Sequence, residues 1–340
     1  MHTVARDSQT CEHAPMVQRT IERLGRAVGV VGLGTWQIGA EWGTVTEDQA
    51  RTLLRAGVDH GVTFFDTADV YGDGRSERFC GELHAAHPDV VVATKMGRRV
   101  QQLPELYNRE NFDAWNDRSR ANLGMEHLDL VQLHSPPDAV YDDDRVFEAL
   151  DEMVAAGRTR AYGVSVETSS QALRAIARPH VATVQIILNC FRRKPLEEVL
   201  PAAREQGVGI IARVPLASGL LSGRYDEHTT FPADDHRNFN RHGEAFDVGE
   251  TFAGVPFEVG LAAANELKRL VDPGSTLAQF ALRWVIDQPG VSTVIPGARN
   301  SEQVAGNVAA ASLPPLREEQ LEGARAVYDR FIREHVHDRW

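Results

Sequence analysis

The stretch TFFDTADVYGDGRSE, residues 63–77, holds the unit from which the fold of this 340-residue chain can be predicted. It starts as an apolar strand that ends at Asp66, continues through a loop with Tyr71, and leads into a helix that we predict to be capped by Ser76. A carboxylate and a phenol thus lie at the C-terminal end of a strand, where loops aim side chains and the strand holds them. Whether this is a reactive site depends on what the other strands contribute.

The same alternation of strand and helix repeats along the chain. Apart from the strand that ends at Asp66, we predict strands at residues 30–34, 89–94, 128–134, 161–165, 181–186, 208–213 and 291–296. Their nearly continuous apolar character is typical of a parallel sheet buried on both faces. Eight strands, each followed by a helix, predict a (β/α)8 TIM barrel, whose active sites lie at the C-terminal strand ends.

Three additions to the barrel are also predicted. Gly25 and Gly29 punctuate a small N-terminal hairpin, and an amphipathic extra helix ends the chain. The polar, Gly/Pro-punctuated residues 222–258 form a long loop after strand 7, of the kind that serves as a functional lid. Residues 1–16 are expected to be a flexible leader and residues 17–340 a single barrel domain.

Composition narrows the class of function. The net charge of −12 argues against binding to nucleic acid or anionic membranes, which requires a basic surface. The three cysteines, Cys11, Cys80 and Cys190, form no CxxC pair and indicate a reducing compartment, so we expect a cytoplasmic protein. No apolar run is long enough to cross a membrane. No metal site is predicted, since His84 and His87 share a helix without further ligands at suitable spacing.

Two further strand ends carry polar residues that could act together with Asp66 and Tyr71. Lys95 and His134 end the next two predicted strands, where side chains are still half buried. A buried charge is costly unless it is paired, so Asp66 and Lys95 are expected to form an ion pair. A structural ion pair and a surface phenol would explain any one of these residues, whereas all four together favour a reactive site.

These residues belong to motifs that resemble the aldo-keto reductase family over nearly the whole chain. The motifs are FDTADVYGDGRSE at 65–77, ATKMG at 93–97, LDLVQLHSP at 128–136, GVS at 163–165, PLASGLLSGRY at 215–225 and IPGARNSEQVAGNV at 295–308. The resemblance implies a barrel that binds a nicotinamide cofactor without a Rossmann domain. It also implies that Asp66, Tyr71, Lys95 and His134 are the catalytic tetrad.

The chemistry of carbonyl reduction suits these four residue types. A tyrosine near its ordinary pKa of about 10 is a weak acid, and a neighbouring ammonium makes its anion easier to form. Lys95 would supply that charge, Asp66 would hold Lys95, and His134 would orient and polarise the carbonyl. Tyr71 would then donate the proton.

The resemblance also implies the residues that hold the cofactor. Ser165 and Gln185 would hold the nicotinamide carboxamide, and the PLASGLL segment would lie over the pyrophosphate. Arg299, just before a helix N-terminus, could bind a 2′-phosphate, which favours NADPH over NADH. The full predicted set is Thr35, Trp36, Asp66, Ser165, Gln185, Arg213, Leu216, Ser218, Gly219, Leu220, Gly297, Arg299, Gln303 and Asn307.

The chain departs from the family pattern at three positions. Val166 stands where the family usually has asparagine, and Leu188 replaces a common aromatic residue. Arg213 stands where many members have a tyrosine that stacks on the nicotinamide. Arg213 could stack by its planar face, bind an anionic group, or pair with a carboxylate of the long loop.

We therefore predict an NADPH-dependent reductase of a small aldehyde, ketone or sugar-like carbonyl. The alternative is a cofactor-binding subunit that reports redox state to a partner protein without turnover, as potassium-channel β-subunits of this family do. Trp36, Trp42, Phe112 and Trp115, with Tyr71 and the long loop, are expected to shape the substrate pocket.

Overall fold

Eight parallel strands form the central sheet of the protein in a computed structural model, which describes residues 16–39 and 45–340. Each barrel strand pairs with the next one along the chain. Bridges from Val31 to Val294 and from Gly34 to Gly297 bring the first and last strands together. The predicted TIM barrel is confirmed. Of the predicted leader, only Met16 lies within the described residues, and it packs against the core.

The strands include an N-terminal antiparallel hairpin followed by the eight barrel strands. The hairpin consists of β1 (Gln18–Ile21) and β2 (Arg26–Gly29). The barrel strands are β3 (Leu33–Gly34), β4 (Phe64–Asp66), β5 (Val91–Met96), β6 (Leu128–His134), β7 (Thr159–Ser165), β8 (Val181–Ile187), β9 (Gly209–Arg213) and β10 (Val291–Val294).

The helices surround the barrel or cover its ends. They are α1 (Trp36–Gly39), α2 (Glu47–Asp59), α3 (Arg75–Ala86), α4 (Arg109–Leu123), α5 (Asp144–Ala155), α6 (Ser169–Ile176), α7 (Val199–Gln206), α8 (His236–Phe239), α9 (Phe257–Leu267), α10 (Leu277–Ile286), α11 (Ser301–Ala309), α12 (Glu318–Val327) and α13 (Arg333–Val336). Within the described ranges, no helix is both long and apolar enough to span a membrane.

The starts of two helices test the predicted caps. Thr46 and Gln49 form the expected reciprocal capping box of α2. The predicted Ser76 cap is wrong, because α3 begins at Arg75 after Gly74, which adopts a left-handed φ of +82°. Since the glycine turn already directs the chain into the helix, Ser76 lies inside it. Its buried hydroxyl is 2.7 Å from Thr35 Oγ1.

The barrel interior changes from apolar to polar toward the C-terminal strand ends. Residues two apart on a strand face the same side, and on β4 the apolar Phe64 is followed by Asp66. The hairpin closes the opposite end, where Ile21, Leu24 and Val28 join the apolar interior cluster. Arg19 fixes the hairpin by donating to the carbonyls of Val291 and Ile286. Among the described residues, the polar layer of the barrel interior therefore lies at the C-terminal strand ends.

The segment predicted as a long loop, residues 222–258, follows β9 and leads into α9. It contains α8 and two single 3-10 turns, Val248–Glu250 and Phe252–Gly254. Ser218 ties it to the barrel, since its hydroxyl donates to the Glu250 carbonyl and accepts from the Phe252 amide, at 3.1 and 3.0 Å. The segment is therefore folded against the strand ends.

Candidate active site

Lys95 lies at the centre of the polar layer at the C-terminal end of the barrel. Its Nζ atom is 2.5 Å from Asp66 Oδ1, 2.9 Å from the Thr67 carbonyl oxygen and 3.3 Å from the Tyr71 hydroxyl oxygen. The side chain is 1% exposed. Burial disfavours its charge, but Asp66 and Tyr71 outweigh this effect and the pKa of Lys95 is raised. Lys95 is therefore an ammonium group at neutral pH.

Tyr71 is held by the loop that follows β4. The loop packs so closely on Gly39 that a Cβ atom there would lie 2.7 Å from the Tyr71 backbone. Burial raises the pKa of Tyr71, and the charge of Lys95 acts in the opposite direction. The phenol is thus protonated at neutral pH. The Lys95 ammonium group, which favours the phenolate form, is in hydrogen-bonding contact with the phenol.

His134 ends β6 beside this pair. Its ring lies edge-on to the ring of Tyr71, with 6.0 Å between centroids. Burial, and then the charges of Arg98 and Lys95, lower the pKa of His134 well below its ordinary value. The imidazole is therefore neutral. Its Nδ1 atom is buried and has no hydrogen-bond partner in the described part of the chain.

Two glutamines complete the coordination of Asp66. Gln185 and Gln132 donate to its Oδ2 atom at 2.8 and 3.3 Å, and Gln185 also donates to Gln132. Asp66 thus uses one oxygen for Lys95 and the other for the amides. Gln132 was missed by sequence reasoning, although its position two residues before His134 on the same strand places both on the interior face.

A cleft of about 530 Å³ runs from this layer across the strand ends, within the usual size of ligand sites. Most predicted residues line it: Thr35, Trp36, Asp66, Tyr71, Gln185, Arg213, Leu216, Ser218, Gly219, Gly297, Arg299, Gln303 and Asn307. Lys95, His134 and Ser165 are buried behind this surface. Leu220 packs in the core against Gly260, so its side chain faces away from the cleft.

The cleft wall contains polar atoms that suit an extended polar ligand. Gln37 Oε1 and Arg213 Nε are buried there, and neither has a hydrogen-bond partner among the described residues. At the far end, the first turn of α11 follows Arg299, and Asn300 caps the helix by accepting from the Gln303 amide. A helix N-terminus beside a guanidinium group is suited to a phosphate. The residues present therefore fit a dinucleotide phosphate.

Arg213 forms ion pairs on the wall of the cleft. Its Nη2 atom lies 2.8 Å from Glu167 Oε2, and its Nη1 atom lies 3.6 Å from Glu250 Oε1. Since Glu250 belongs to the long loop, the structure shows the pairing that the sequence left open as one of three roles. Its Nη2 atom also donates to the carbonyl of Val166, the residue that replaces the usual asparagine.

The aromatic residues expected around the substrate separate into two groups. Trp36 lines the cleft and stacks beside Tyr71, with 6.1 Å between ring centroids. Phe112 and Trp115 pack on Tyr107 in the hydrophobic core. Trp42 lies outside the described residues.

Comparison with known proteins identifies the family. The family model described as "Aldo/keto reductase family" matches residues 30–329. The chain belongs to the aldo/keto reductase family. Aldo-keto reductase YhdN of Bacillus subtilis is 33% identical over 299 residues, which cover 85% of this chain and 87% of that protein. The resemblance inferred from the motifs is confirmed.

Other aldo/keto reductase relatives show what the family includes. A probable voltage-gated potassium channel β-subunit of Arabidopsis thaliana is 29% identical, with 88% of this chain and 93% of that protein covered. The structure of glycerol dehydrogenase AKR11B4 from Gluconobacter oxydans has a TM-score of 0.75 and 30% identity, covering 94% of this chain and 96% of that one. A Klebsiella pneumoniae aldo/keto reductase in complex with NADP and acetate has a TM-score of 0.66 and 27% identity, covering 93% and 96%.

Proposed function

We propose that this aldo/keto reductase is an NADPH-dependent enzyme that reduces a small aldehyde, ketone or sugar-like carbonyl to an alcohol. The observation that carries the proposal is the position of Lys95 between Asp66 and the Tyr71 hydroxyl, beside neutral His134. Tyr71 would give its proton to the carbonyl oxygen, and the Lys95 ammonium would stabilise the phenolate that remains. The hydride would come from NADPH bound in the adjoining cleft.

The chain's own residues provide the other requirements of this reaction. His134 can hydrogen-bond the carbonyl oxygen without adding charge, since its low pKa keeps it neutral. The amide nitrogen of Gln185 donates to Asp66, so the amide oxygen of Gln185 is the atom available to the nicotinamide carboxamide. Arg299, with the start of α11, would hold the 2′-phosphate. The Klebsiella relative in complex with NADP supports this choice of cofactor.

The test is the consumption of NADPH, followed by absorbance, with a panel of aldehydes, ketones and open-chain sugars. Glyceraldehyde and dihydroxyacetone belong in the panel because one structural relative is a glycerol dehydrogenase. The same panel run with NADH tests the cofactor preference. Tight binding of NADPH without turnover of any panel member would contradict the proposal.

The second candidate is a cofactor-binding subunit without turnover, and the relationship to a potassium channel β-subunit supports it. It predicts slow exchange of bound NADPH and a stable complex with a partner protein. We favour the enzyme, since a subunit without turnover has no need of a phenol in contact with a buried ammonium group.

A further inference from the structure

Four charged side chains form a closed ring at the mouth of the barrel. We call Arg98, Glu167, Arg213 and Glu250 the charge ring. Arg98 Nη2 lies 3.3 Å from Glu167 Oε1 and 3.1 Å from Glu250 Oε1. Arg213 closes the ring through the pairs with the same two carboxylates. Three members follow or end β5, β7 and β9, and Glu250 comes from the long loop.

The charge ring is mostly buried and electrically balanced. The exposed fractions of its side chains are 21% for Arg98, 12% for Glu167, 10% for Arg213 and 9% for Glu250. Two positive and two negative groups leave no net charge. Because charges in a buried site are poorly screened by water, the loss of one member would change the potential nearby.

The charge ring lies close enough to act on the proposed reaction centre. After burial, the charges of Arg98 and Arg213 contribute to the low pKa of His134, and Glu250 contributes to the raised pKa of Tyr71. Arg213 and Glu250 also line the cleft directly, and the Nε–H of Arg213 is a buried donor without a partner in the described structure. A ligand at this mouth therefore experiences the net charge of the ring.

We propose that the charge ring sets the relative affinity of the protein for the oxidised and reduced forms of its nicotinamide cofactor. This inference rests on the proposed function, which places the nicotinamide near Tyr71. The oxidised nicotinamide carries a positive charge that the reduced form lacks, and the two forms share all phosphate and adenosine groups. A change of charge in the ring therefore acts mainly on the oxidised form.

The direction of each change follows from its sign. Arg213→Gln leaves the ring with one net negative charge and should tighten binding of NADP⁺ relative to NADPH. Glu250→Gln leaves the ring with one net positive charge and should weaken binding of NADP⁺ relative to binding of NADPH. A purely structural role, in which the ring only anchors the long loop, would alter both affinities together and leave their ratio unchanged.

The experiment measures the dissociation constants of NADP⁺ and NADPH by fluorescence titration of the full-length protein. Mildly alkaline pH is suitable because burial raises the pKa of Glu250 and its ionised form is required. We expect the ratio of the two constants to change by about three- to thirtyfold in opposite directions in the two variants. The double variant, Arg213→Gln with Glu250→Gln, has a neutral ring and should return to the wild-type ratio.

The exposed ion pair between Arg51 and Glu82, on the outer helices α2 and α3, provides matched controls. Arg51→Gln and Glu82→Gln make the same changes of charge and should leave the ratio as it is. If Arg213→Gln does not fold, Arg98→Gln removes a positive charge from the same ring and carries the same expectation.

Two failures of the experiment have separate meanings. Ring variants that bind both nucleotides with the wild-type ratio, or that shift it in the same direction, overturn the role of the charge ring. A folded wild-type protein that binds neither nucleotide overturns the proposed function, and the inference falls with it.

Discussion

Gln132 and Gln185 donate to the same oxygen of Asp66, yet only Gln185 reaches the cleft. Gln132 is fully buried on β6. Its Cα is the register partner of the Cα of Lys95 on the neighbouring strand β5. We therefore expect the two amides to differ in function. Both support the carboxylate that holds Lys95, while Gln185 alone can also contact a ligand.

Gln132→Met tests this difference. We expect kcat to fall by about three- to thirtyfold, since a hydrogen bond to a charged group is worth about 1.5–3 kcal/mol and only part of that acts on Lys95. The dissociation constant of NADPH should stay within about twofold of the wild-type value. Gln185→Met, the matched variant, should change both quantities. A large loss of NADPH affinity in Gln132→Met would contradict the assignment.

Tyr71→Phe should lower kcat for carbonyl reduction by at least about a hundredfold, because it removes the proposed proton donor. Circular dichroism and the dissociation constant of NADPH should remain close to wild type. Tyr107→Phe is the control, since the Tyr107 hydroxyl is buried and has no hydrogen-bond partner in the described residues. Activity that survives the change at Tyr71 would show that the tetrad assignment is wrong.

Arg299→Gln should distinguish NADPH from NADH. Arg299 lines the cleft, its side chain is half exposed, and its Nη2 atom lies 3.4 Å from Asp235 Oδ2. Loss of a charged contact to the 2′-phosphate should weaken binding of NADPH by about ten- to a hundredfold and leave binding of NADH nearly unchanged. Isothermal titration with both cofactors measures this difference. If the variant bound NADPH and NADH equally more weakly, Arg299 would not contact the 2′-phosphate.

Asp69 should make stability depend on pH. Burial, and then the nearby charge of Glu77, raise the pKa of Asp69 to about 8. An unfolded aspartate ionises near pH 4. Between these two values the folded state keeps a proton that the unfolded state has lost, so the free energy of unfolding falls as pH rises.

Asp69→Asn removes this dependence, because the amide has no proton to lose. Relative to wild type, the variant should gain about 2–4 kcal/mol in unfolding free energy on going from about pH 5 to about pH 8. Urea denaturation at both pH values measures the gain. Asp48→Asn, at a side chain that is 99% exposed, should show little change. Parallel pH profiles for Asp69→Asn and wild type would refute the raised pKa.

The sequence predicted the part of the site that depends on strand periodicity. Asp66, Lys95 and His134 each end an apolar run, so closing the barrel brings them together wherever the loops lie. The charge ring could not be predicted in this way, since Arg98 is separated from its partners by 69 and 152 residues. Glu250 reaches the ring only because the long loop folds back through Ser218.

The Ser76 prediction failed for a local reason. A serine ahead of an apolar periodic segment is a common cap, but the positive φ angles of Gly72, Asp73 and Gly74 place the N-cap at Gly74, two residues before Ser76. The buried polar contact of Ser76 with Thr35 then depends on the first turn of α3 meeting the residue that follows β3. Such contacts follow from tertiary structure and leave no periodic signal.

The order of the barrel strands separates the proposed reaction centre from much of the cleft. Asp66, Tyr71, Lys95 and His134 all come from the first half of the chain, whereas the cleft wall from Arg213 to Asn307 comes from the second half. The two halves meet through pairing of neighbouring strands and through polar contacts such as that of Gln185 with Asp66. Recombination with a relative between β6 and β7 should therefore exchange much of the cofactor wall as a module and keep the four proposed catalytic residues, provided that the incoming half retains the glutamine that supports Asp66.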